Sequence, residues 1–306
     1  MEIIDPETTN MNQHNRRAID DIIEFLPEGH IYQVKGWLYP YSEWQTSVST
    51  LCKYCIGESF DPFQIARFAL QREESAQNYR VPDGPERIAR IQAIQASQEL
   101  GYAKSRDLGT ELHDELEKYI LSGKLNPEYT PKEYFWIQRA LEHKDLADYR
   151  PVRTEMRLKD DDLLLCGSLD LLMKHVTKDE YIIVDYKRSK NCARQQKVYD
   201  GVAAFAKGQS YSPFPNDERK CCLYPFEHLP KSNFTKYVFQ QNIYKYMLEK
   251  LTGYNVVNLF LIVLNPDRAK ENVIKLPILS KEMDLIVQLR RRQLYYKWHN
   301  WAMLKN

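Results

Sequence analysis

The stretch that decides the fold is VRTEMRLKDDDLLLCGSLDLLMKHVTKDEYIIVDYK, from Val152 to Lys187. It contains three apolar or alternating runs, VRTEMRL, LLLCGSLDLLM and YIIVDYK, which are separated by the polar segments KDDD and HVTKDE. Short runs of this kind, bounded by polar clusters, are typical of strands. The pattern therefore predicts an antiparallel meander of three strands.

The sequence around this meander predicts mostly helices, which together with the strands indicates a mixed α/β fold. After the meander we expect a long irregular segment over residues 188–236, a helix (KYVFQQNIYKYMLEKL), a fourth strand (VVNLFLIVLNP) and an amphipathic helix over residues 281–304. Before the meander we expect a helix over residues 18–26 and a strand or hairpin over residues 30–40. Two helices are expected next, one at SVSTLCKYCI, capped by Ser47 or Ser49, and one at DPFQIARFALQREESAQNY. One or two more helices are expected between residues 85 and 121. A further helix is expected over 131–144.

These elements divide the chain into four predicted segments. Residues 1–17 form a flexible tail, and residues 18–108 form a mainly helical lobe. Residues 109–266 form the α/β core, and residues 267–306 form a C-terminal helix that packs on it.

The composition is that of an ordinary globular protein. Of the 306 residues, 43% are apolar and 28% are charged, which argues against wholesale disorder, collagen and coiled coil. No stretch approaches the roughly 20 apolar residues that a membrane span requires, so no membrane partner is expected. The net charge of +1 gives no chain-wide basic field, although an enzyme can hold phosphate in a local groove.

The start of the chain and its cysteines indicate an intracellular protein. The first residues, MEIIDPETTNMNQ, have the character of neither a secretory signal nor an organelle presequence. The six cysteines have no disulfide-framework spacing, so reduced thiols are expected. This leaves the nucleus, the cytoplasm and a virus- or phage-infected cell as alternatives.

Two carboxylates and one ammonium are expected to meet on the predicted sheet. In a hairpin that turns at residues 176–179, opposing residues have numbers that sum to about 355, and Asp170 and Asp185 meet this condition. Lys187 lies two residues after Asp185 and therefore on the same side of its strand. Hard oxygen ligands of this kind suit Mg²⁺ or Mn²⁺. The structural alternative is a surface salt bridge between Asp185 and Lys187, with Asp170 solvated.

The same residues belong to a series of motifs that resembles a known nuclease superfamily. GSLD (167–170), VDYK (184–187) and QQNIY (240–244) are similar to the G-x-x-D, (D/E)-x-K and Q-x-x-x-Y motifs of PD-(D/E)XK nucleases, in the RecB-like and lambda-exonuclease-like branch. GTELHDELE (109–117) resembles the helix with a metal-facing His, and PVRTEMRL (151–158) the first core strand with its extra acidic residue. YSEWQTSVSTL and SFDPFQIA are more loosely similar to mitochondrial genome-maintenance exonucleases and to phage and large-virus relatives.

The resemblance implies a fold and a chemistry. The implied fold is restriction-endonuclease-like, with a central mixed sheet flanked by helices and a helical N-terminal lobe. The implied activity is metal-dependent hydrolysis of DNA phosphodiester bonds, and we expect an exonuclease of replication, recombination or repair that acts at free DNA ends. One or two Mg²⁺ or Mn²⁺ ions are implied, and no iron-sulfur cluster is expected because no Cys follows Tyr244. A homo-oligomer or a replication or recombination protein partner stays open.

The implied site residues fall into three groups. The catalytic group is Asp170, Asp185, Lys187, Glu155, Gln240 and Tyr244. The metal ligands are His113, Glu155, Asp170, Asp185 and the main-chain carbonyl of Tyr186. The nucleic-acid contacts are Arg188, Lys190, Arg194, Lys197, Arg290 and Arg291, with aromatic side chains at 295, 296, 298 and 301 interleaved after the last two.

Each group has a structural alternative. His113 could be a helix-surface or capping residue, Glu155 could pair with Arg153 or Arg157, and the 240–244 pair could be the polar edge of an amphipathic helix. The run 290–292 could be the solvated face of a packed helix. At the level of the whole protein, the alternatives are a structure-specific DNA or RNA endonuclease and a non-catalytic DNA-binding scaffold.

The cysteines leave two interpretations open. Cys52 and Cys55 form a C-x-x-C pair, and Cys192, Cys221 and Cys222 lie far downstream. They could bind zinc or an iron-sulfur cluster. Buried small hydrophobic side chains are the other interpretation.

Overall fold

The computed structural model divides into two compact units. One unit is Met1–Gly57 with Glu115–Asn306, and the other is Glu58–Asp114. The structure describes residues 11, 15–26, 31–37, 41–57, 62–123, 138–206, 221–264 and 271–305. Residues 18–57, which the sequence analysis placed in an N-terminal lobe, thus lie in the larger unit. Most of the predicted tail 1–17 and the first half of the predicted helix 131–144 lie outside the described residues, and residues 138–141 are helical.

The larger unit begins with a small hairpin rather than the helix predicted over 18–26. A 3-10 helix, Ala18–Asp21, is followed by β1 (Ile23–Leu26), which pairs antiparallel with β2 (Ile31–Val34). The prediction of a helix was wrong because Ile22 and Ile23 fit both the helical period of about 3.6 residues and the strand period of about two residues. Pairing with β2 selects the strand.

Two short helices and a two-residue strand follow the hairpin. They are α1 (Tyr41–Trp44), β3 (Thr46–Ser47) and α2 (Val48–Ile56). The Ser47 side chain accepts a hydrogen bond from the Thr50 backbone N–H and so caps α2, as predicted. The helix ends at Gly57, which has the left-handed conformation that favours glycine.

A six-stranded mixed sheet forms the centre of the larger unit. Its main strands are β4 (Tyr149–Asp160), β5 (Leu165–His175), β6 (Tyr181–Arg188), β7 (Val256–Leu264) and β8 (Glu271–Leu276). The order is β3-β5-β6-β7-β8, with β4 paired to β5. The predicted meander is confirmed, and its register is also confirmed, because Leu171 pairs with Val184. The strand β8 was not predicted.

Helices flank this sheet, and they connect its parallel strands. Between β6 and β7 lie α5 (Cys192–Ala206) and α6 (Asn233–Thr252), and α7 (Ser280–Lys305) follows β8. The prediction of an irregular segment over 188–236 was wrong at α5. The buried apolar core joins α2, α6 and α7 to the sheet, with Leu51, Phe239 and Ile286 among its members. Residues 181–186 of β6 are all buried, as expected for a strand that is covered on both faces.

The smaller unit consists of helices. Most of it is α3 (Pro62–Gln77) and the part of α4 (Pro85–Ser122) up to residue 114. Its small core contains Ala66, Leu70 and Ile91. No helix in the described part of the chain combines the length and the apolar character that crossing a membrane would require.

A fully buried glutamine on α6 provides a test of this packing. Gln241 is 0% exposed, and among the described residues neither polar atom of its side chain has a hydrogen-bond partner. A buried polar group in this state costs about 1–3 kcal/mol. We therefore expect Gln241→Met to raise the free energy of unfolding by about 1 kcal/mol in urea denaturation. The exposed control Gln92→Met should change it by less than about 0.5 kcal/mol. A loss of stability in Gln241→Met would contradict this.

Candidate active site

Lys187 lies between two carboxylates near the end of β6. Its Nζ is 2.7 Å from Asp185 Oδ2 and 3.9 Å from Asp170 Oδ2. The side chain of Asp185 is 1% exposed, that of Asp170 10% and that of Lys187 18%. The structure thus brings together the three groups that strand register and spacing predicted, and it excludes the alternative of a solvated surface pair.

The charge of Lys187 follows from these neighbours. Burial alone would lower its pKa, but the carboxylates of Asp185 and Asp170 outweigh burial and raise the pKa above its ordinary value. Lys187 is therefore an ammonium at neutral pH. It can supply positive charge and hydrogen-bond donors, but it cannot accept a proton.

The backbone of Tyr186 ties the two strands together at the site. Its N–H donates to Asp170 Oδ2 at 2.9 Å, and its carbonyl accepts from Lys187 Nζ at 3.0 Å. The carbonyl that the sequence analysis assigned to a metal ion is thus hydrogen-bonded to Lys187. These bonds hold Asp170 and Lys187 in fixed positions relative to the strand end.

Glu155 reaches the same region through an unusual backbone conformation. Its φ of 44° lies in the left-handed region, which is costly for a residue other than glycine. It lies in β4 between Thr154 and Met156, which pair with β5 residues on either side of Asp170. Its Oε2 accepts a hydrogen bond from Ser168 Oγ at 3.0 Å. Strained residues of this kind cluster at functional sites.

The two arginines that could have paired with Glu155 are engaged elsewhere. Arg153 forms an ion pair with Asp20 at 2.7 Å, and Arg157 donates to the carbonyl of Ile23 at 2.7 Å. These contacts hold both arginines to the hairpin region, and the role of Glu155 stays a prediction.

Glu155 and Asp170 are placed so that they could share a metal ion. Each offers a carboxylate oxygen, and these two atoms lie within 4.8 Å of each other. The predicted ligand His113 belongs to the smaller unit. Carboxylate oxygens suit Mg²⁺ and Mn²⁺. The donor set fits a divalent cation. Asp185, a predicted ligand, does not belong to this pair, and its carboxylate contacts Lys187 instead.

The last turns of α4 are fastened to β4 within the larger unit. Thr154 Oγ1 donates to Glu117 Oε1 at 2.9 Å, and Leu116 and Ile120 are buried. Since Thr154 precedes Glu155 in the chain, this contact supports the conformation of β4 at the site.

Tyr244 of α6 packs directly against Gly167 of β5. A Cβ atom at Gly167 would lie 2.8 Å from the Tyr244 hydroxyl oxygen and from its Cε1. Tyr244 is 3% exposed, and burial raises its pKa well above the ordinary value, although a hydrogen bond with Gln240 partly opposes this. The G-x-x-D and Q-x-x-x-Y motifs therefore meet, because Gly167 has no side chain and so leaves room for the ring of Tyr244.

A tyrosine that the sequence analysis missed also belongs to the site. Tyr237 lies seven residues before Tyr244 on α6, and the Nζ of Lys187 is 5.6 Å from the centroid of its ring. This distance is within the range of a cation–π interaction. Helical spacing was the available signal, since residues seven apart lie on the same face of a helix.

The predicted nucleic-acid contacts are only partly at the surface. Lys190, Arg194 and Lys197 are exposed. Arg194 and Lys197 are three residues apart on α5 and so lie on the same face of the helix, whereas Lys190 precedes it. Arg188 is half-buried, and Arg291 is exposed. Arg290 differs from the expectation, as described next.

Arg290 is buried and holds backbone carbonyls. It is 3% exposed and donates to the carbonyls of Trp44 at 2.6 Å and Leu163 at 2.8 Å. Burial lowers its pKa to about 10. Its guanidinium therefore fastens α7 to two connections of the larger unit and does not lie on the exposed face with Arg291.

The cysteines fit the interpretation as buried small side chains. Cys52, Cys55, Cys192 and Cys222 are buried, and only Cys221 is exposed among the cysteines, all of which the structure describes. Burial raises the pKa of Cys55 to about 12, so it is a thiol at neutral pH. No cysteine belongs to a potential metal-binding group of three or more among the described residues.

No protein-family model matches the chain, and no curated protein does. Solved structures that match it include one described as "Crystal structure of SSO0001". That structure shares 14% sequence identity with this chain, at a TM-score of 0.29, and the match covers 82% of this chain and 75% of the other. A match at this TM-score supports no conclusion about function. The site geometry must therefore carry the functional assignment.

Proposed function

We propose that the protein is a metal-dependent deoxyribonuclease with a restriction-endonuclease-like core, and that it acts as an exonuclease at DNA ends. The observation that carries the proposal is the position of Lys187 between Asp170 and Asp185, beside Glu155. The carboxylates of Asp170 and Asp185 repel each other and so lower the stability of the fold. Their proximity therefore supports a functional role for the pair. The exonuclease assignment rests on the resemblance to the Q-x-x-x-Y branch.

Two carboxylates of the larger unit would hold the metal ion. Glu155 and Asp170 would supply its hard oxygen ligands. A bound divalent cation polarises the scissile phosphate and lowers the pKa of a bound water. Ser168 would keep the Glu155 carboxylate in position through its hydroxyl.

Lys187 would stabilise the charge that develops on the phosphate. Its raised pKa keeps it protonated, so it would act as a hydrogen-bond donor and not as a general base. Asp185 would orient the ammonium through the 2.7 Å ion pair, and Tyr237 would cover it. Asp185 is in this account a positioning residue.

DNA would approach along the basic face that follows β6. Lys190, Arg194 and Lys197 lie there, directly after the strand that carries Lys187. Such a stripe can pair with successive phosphates, which makes affinity fall as salt rises. The partner would be DNA with free ends.

The experiment compares linear and closed-circular DNA in Mn²⁺, with and without EDTA. We expect the linear form alone to be degraded, and we expect EDTA to abolish cleavage and added Mn²⁺ or Mg²⁺ to restore it. Nicking of the circle would indicate an endonuclease. Inertness toward both forms would refute the enzymatic proposal, and cleavage that persists in EDTA would refute the metal.

A further inference from the structure

The last turns of α7 leave large aromatic side chains at the surface. After the buried Arg290, Tyr295 is 61% exposed, Tyr296 51% and Trp298 45%. We call residues 291–303 the aromatic segment. Exposed aromatic side chains clustered on one segment mark an interaction site, because isolated exposure is common but clustered exposure is not.

The rings of the aromatic segment are held in defined orientations. The buried Trp44 makes edge contacts with Trp298 and Trp301, with centroids 6.2 and 6.4 Å apart. The rings of Tyr295 and His299 are stacked at 5.9 Å with an interplanar angle of 15°. The segment therefore presents pre-oriented flat faces, which lose little conformational freedom when a ligand binds.

The charge of the segment indicates a polyanionic ligand. Residues 291–303 contain Arg291, Arg292 and Lys297 and no Asp or Glu, whereas the whole chain has a net charge of +1. The Arg292 guanidinium lies 5.7 Å from the Tyr296 ring centroid. Aromatic faces beside cations bind bases by stacking and the backbone by charge. A duplex keeps its base faces stacked inside, so only a single strand can use these rings.

A cavity of the larger unit borders the aromatic segment. Its volume is about 830 Å³, and its lining includes Tyr296 and Lys297 of the segment, Thr50 and Tyr32. Cys166 of β5 also lines the cavity, and Ser168, two residues further along the same side of that strand, donates to Glu155. The cavity therefore extends from the segment to the strand that carries Ser168 and Asp170.

We propose that the aromatic segment is a stacking platform for single-stranded DNA, which passes through this cavity to the active site. The cavity is within the range of about 300–1,000 Å³ that is usual for ligand pockets. Arg290 stabilises its wall through the carbonyl of Trp44. The passage of the DNA strand toward the active site rests on the proposed nuclease function. Binding of the strand by the aromatic segment does not depend on that function.

The test is binding of fluorescein-labelled oligothymidine, followed by anisotropy in EDTA so that no strand is cut. Tyr295→Ala is expected to weaken binding about tenfold, because one stacking ring is lost. Tyr295→Phe keeps the ring and should bind like the wild type. Tyr79→Ala removes a tyrosine of similar exposure, 59%, from the smaller unit and should also bind like the wild type. Affinity for a duplex of the same length should be equal in all four proteins.

Several outcomes would overturn the platform. The first is that the wild type does not bind the single strand, and the second is that Tyr295→Ala binds the single strand as tightly as the wild type does. The third is that Tyr295→Ala loses as much affinity for the duplex as for the single strand. If light scattering shows a wild-type dimer that Tyr295→Ala converts to a monomer without a change in affinity, the segment is an interface between copies of this chain. Cleavage assays are independent of these results, so a platform that binds without cleavage refutes only the nuclease proposal.

Discussion

Asp185→Asn is expected to reduce DNA cleavage about 10²–10³-fold while the protein stays folded. The substitution keeps the size of the side chain but removes the charge that lies 2.7 Å from Lys187 Nζ. The ammonium keeps Asp170 Oδ2 and the Tyr186 carbonyl as neighbours, so it remains partly compensated. It loses the partner that orients it, and a misplaced donor no longer matches the charge that develops on the phosphate.

The measurement is the initial rate on linear DNA in Mn²⁺, with thermal unfolding as the test of folding. Asp160→Asn is the matched control, because Asp160 is 4% exposed and pairs with Lys250 at 2.9 Å at the turn between β4 and β5. It should retain cleavage. Lys187→Met should lose cleavage as Asp185→Asn does. Wild-type turnover in a folded Asp185→Asn protein would remove Lys187 and Asp185 from the site.

Gly167→Ala is expected to lower both stability and cleavage, because the new methyl group would lie 2.8 Å from the ring of Tyr244. Contacts this short require movement, and the ring is 3% exposed with little room to move. Overpacking of a core typically costs about 1–3 kcal/mol. The displacement would also move Gln240 and Tyr244 relative to Asp170, so cleavage should fall with stability.

Urea denaturation and the cleavage rate together check this expectation. In a Tyr244→Ala background the ring is absent, so the further cost of Gly167→Ala should be smaller than in the wild type. Gly109→Ala is the control, because a Cβ there meets nothing within 4 Å. Alanine at this helical position should instead add about 0.5–1 kcal/mol of stability. Equal stability of Gly167→Ala and the wild type would show that the close approach of Tyr244 is not required.

The strand framework was predictable where the pattern of the sequence is local. Alternation and the polar segment 176–179 were enough for the meander and its register, which Leu171 and Val184 confirm. The strand β8 (ENVIKL) was missed because its state depends on pairing with β7, which lies next to it in the sheet. The helix α5 was missed because its polar start, CARQQK, shows no clear apolar period.

The candidate site was predictable as far as it depends on spacing along strands. The convergence of Asp170, Asp185 and Lys187 follows from a two-residue period and one turn. The approach of Tyr244 to Gly167 joins distant parts of the chain, and the direction of Glu155 depends on a left-handed backbone, so neither follows from local pattern. The burial of Arg290 was missed for the same reason, because its carbonyl partners are far away in sequence.

The central claim is that Glu155 and Asp170 bind a divalent cation, and binding of Mn²⁺ tests it most directly. The concentration of free Mn²⁺ can be followed by electron paramagnetic resonance as protein is added. We predict that the wild type and Asp160→Asn take up Mn²⁺, and that Asp170→Asn loses most of this uptake, because a carboxylate ligand has become a weaker amide ligand. Equal uptake of Mn²⁺ by the wild type and by a folded Asp170→Asn protein would contradict the account.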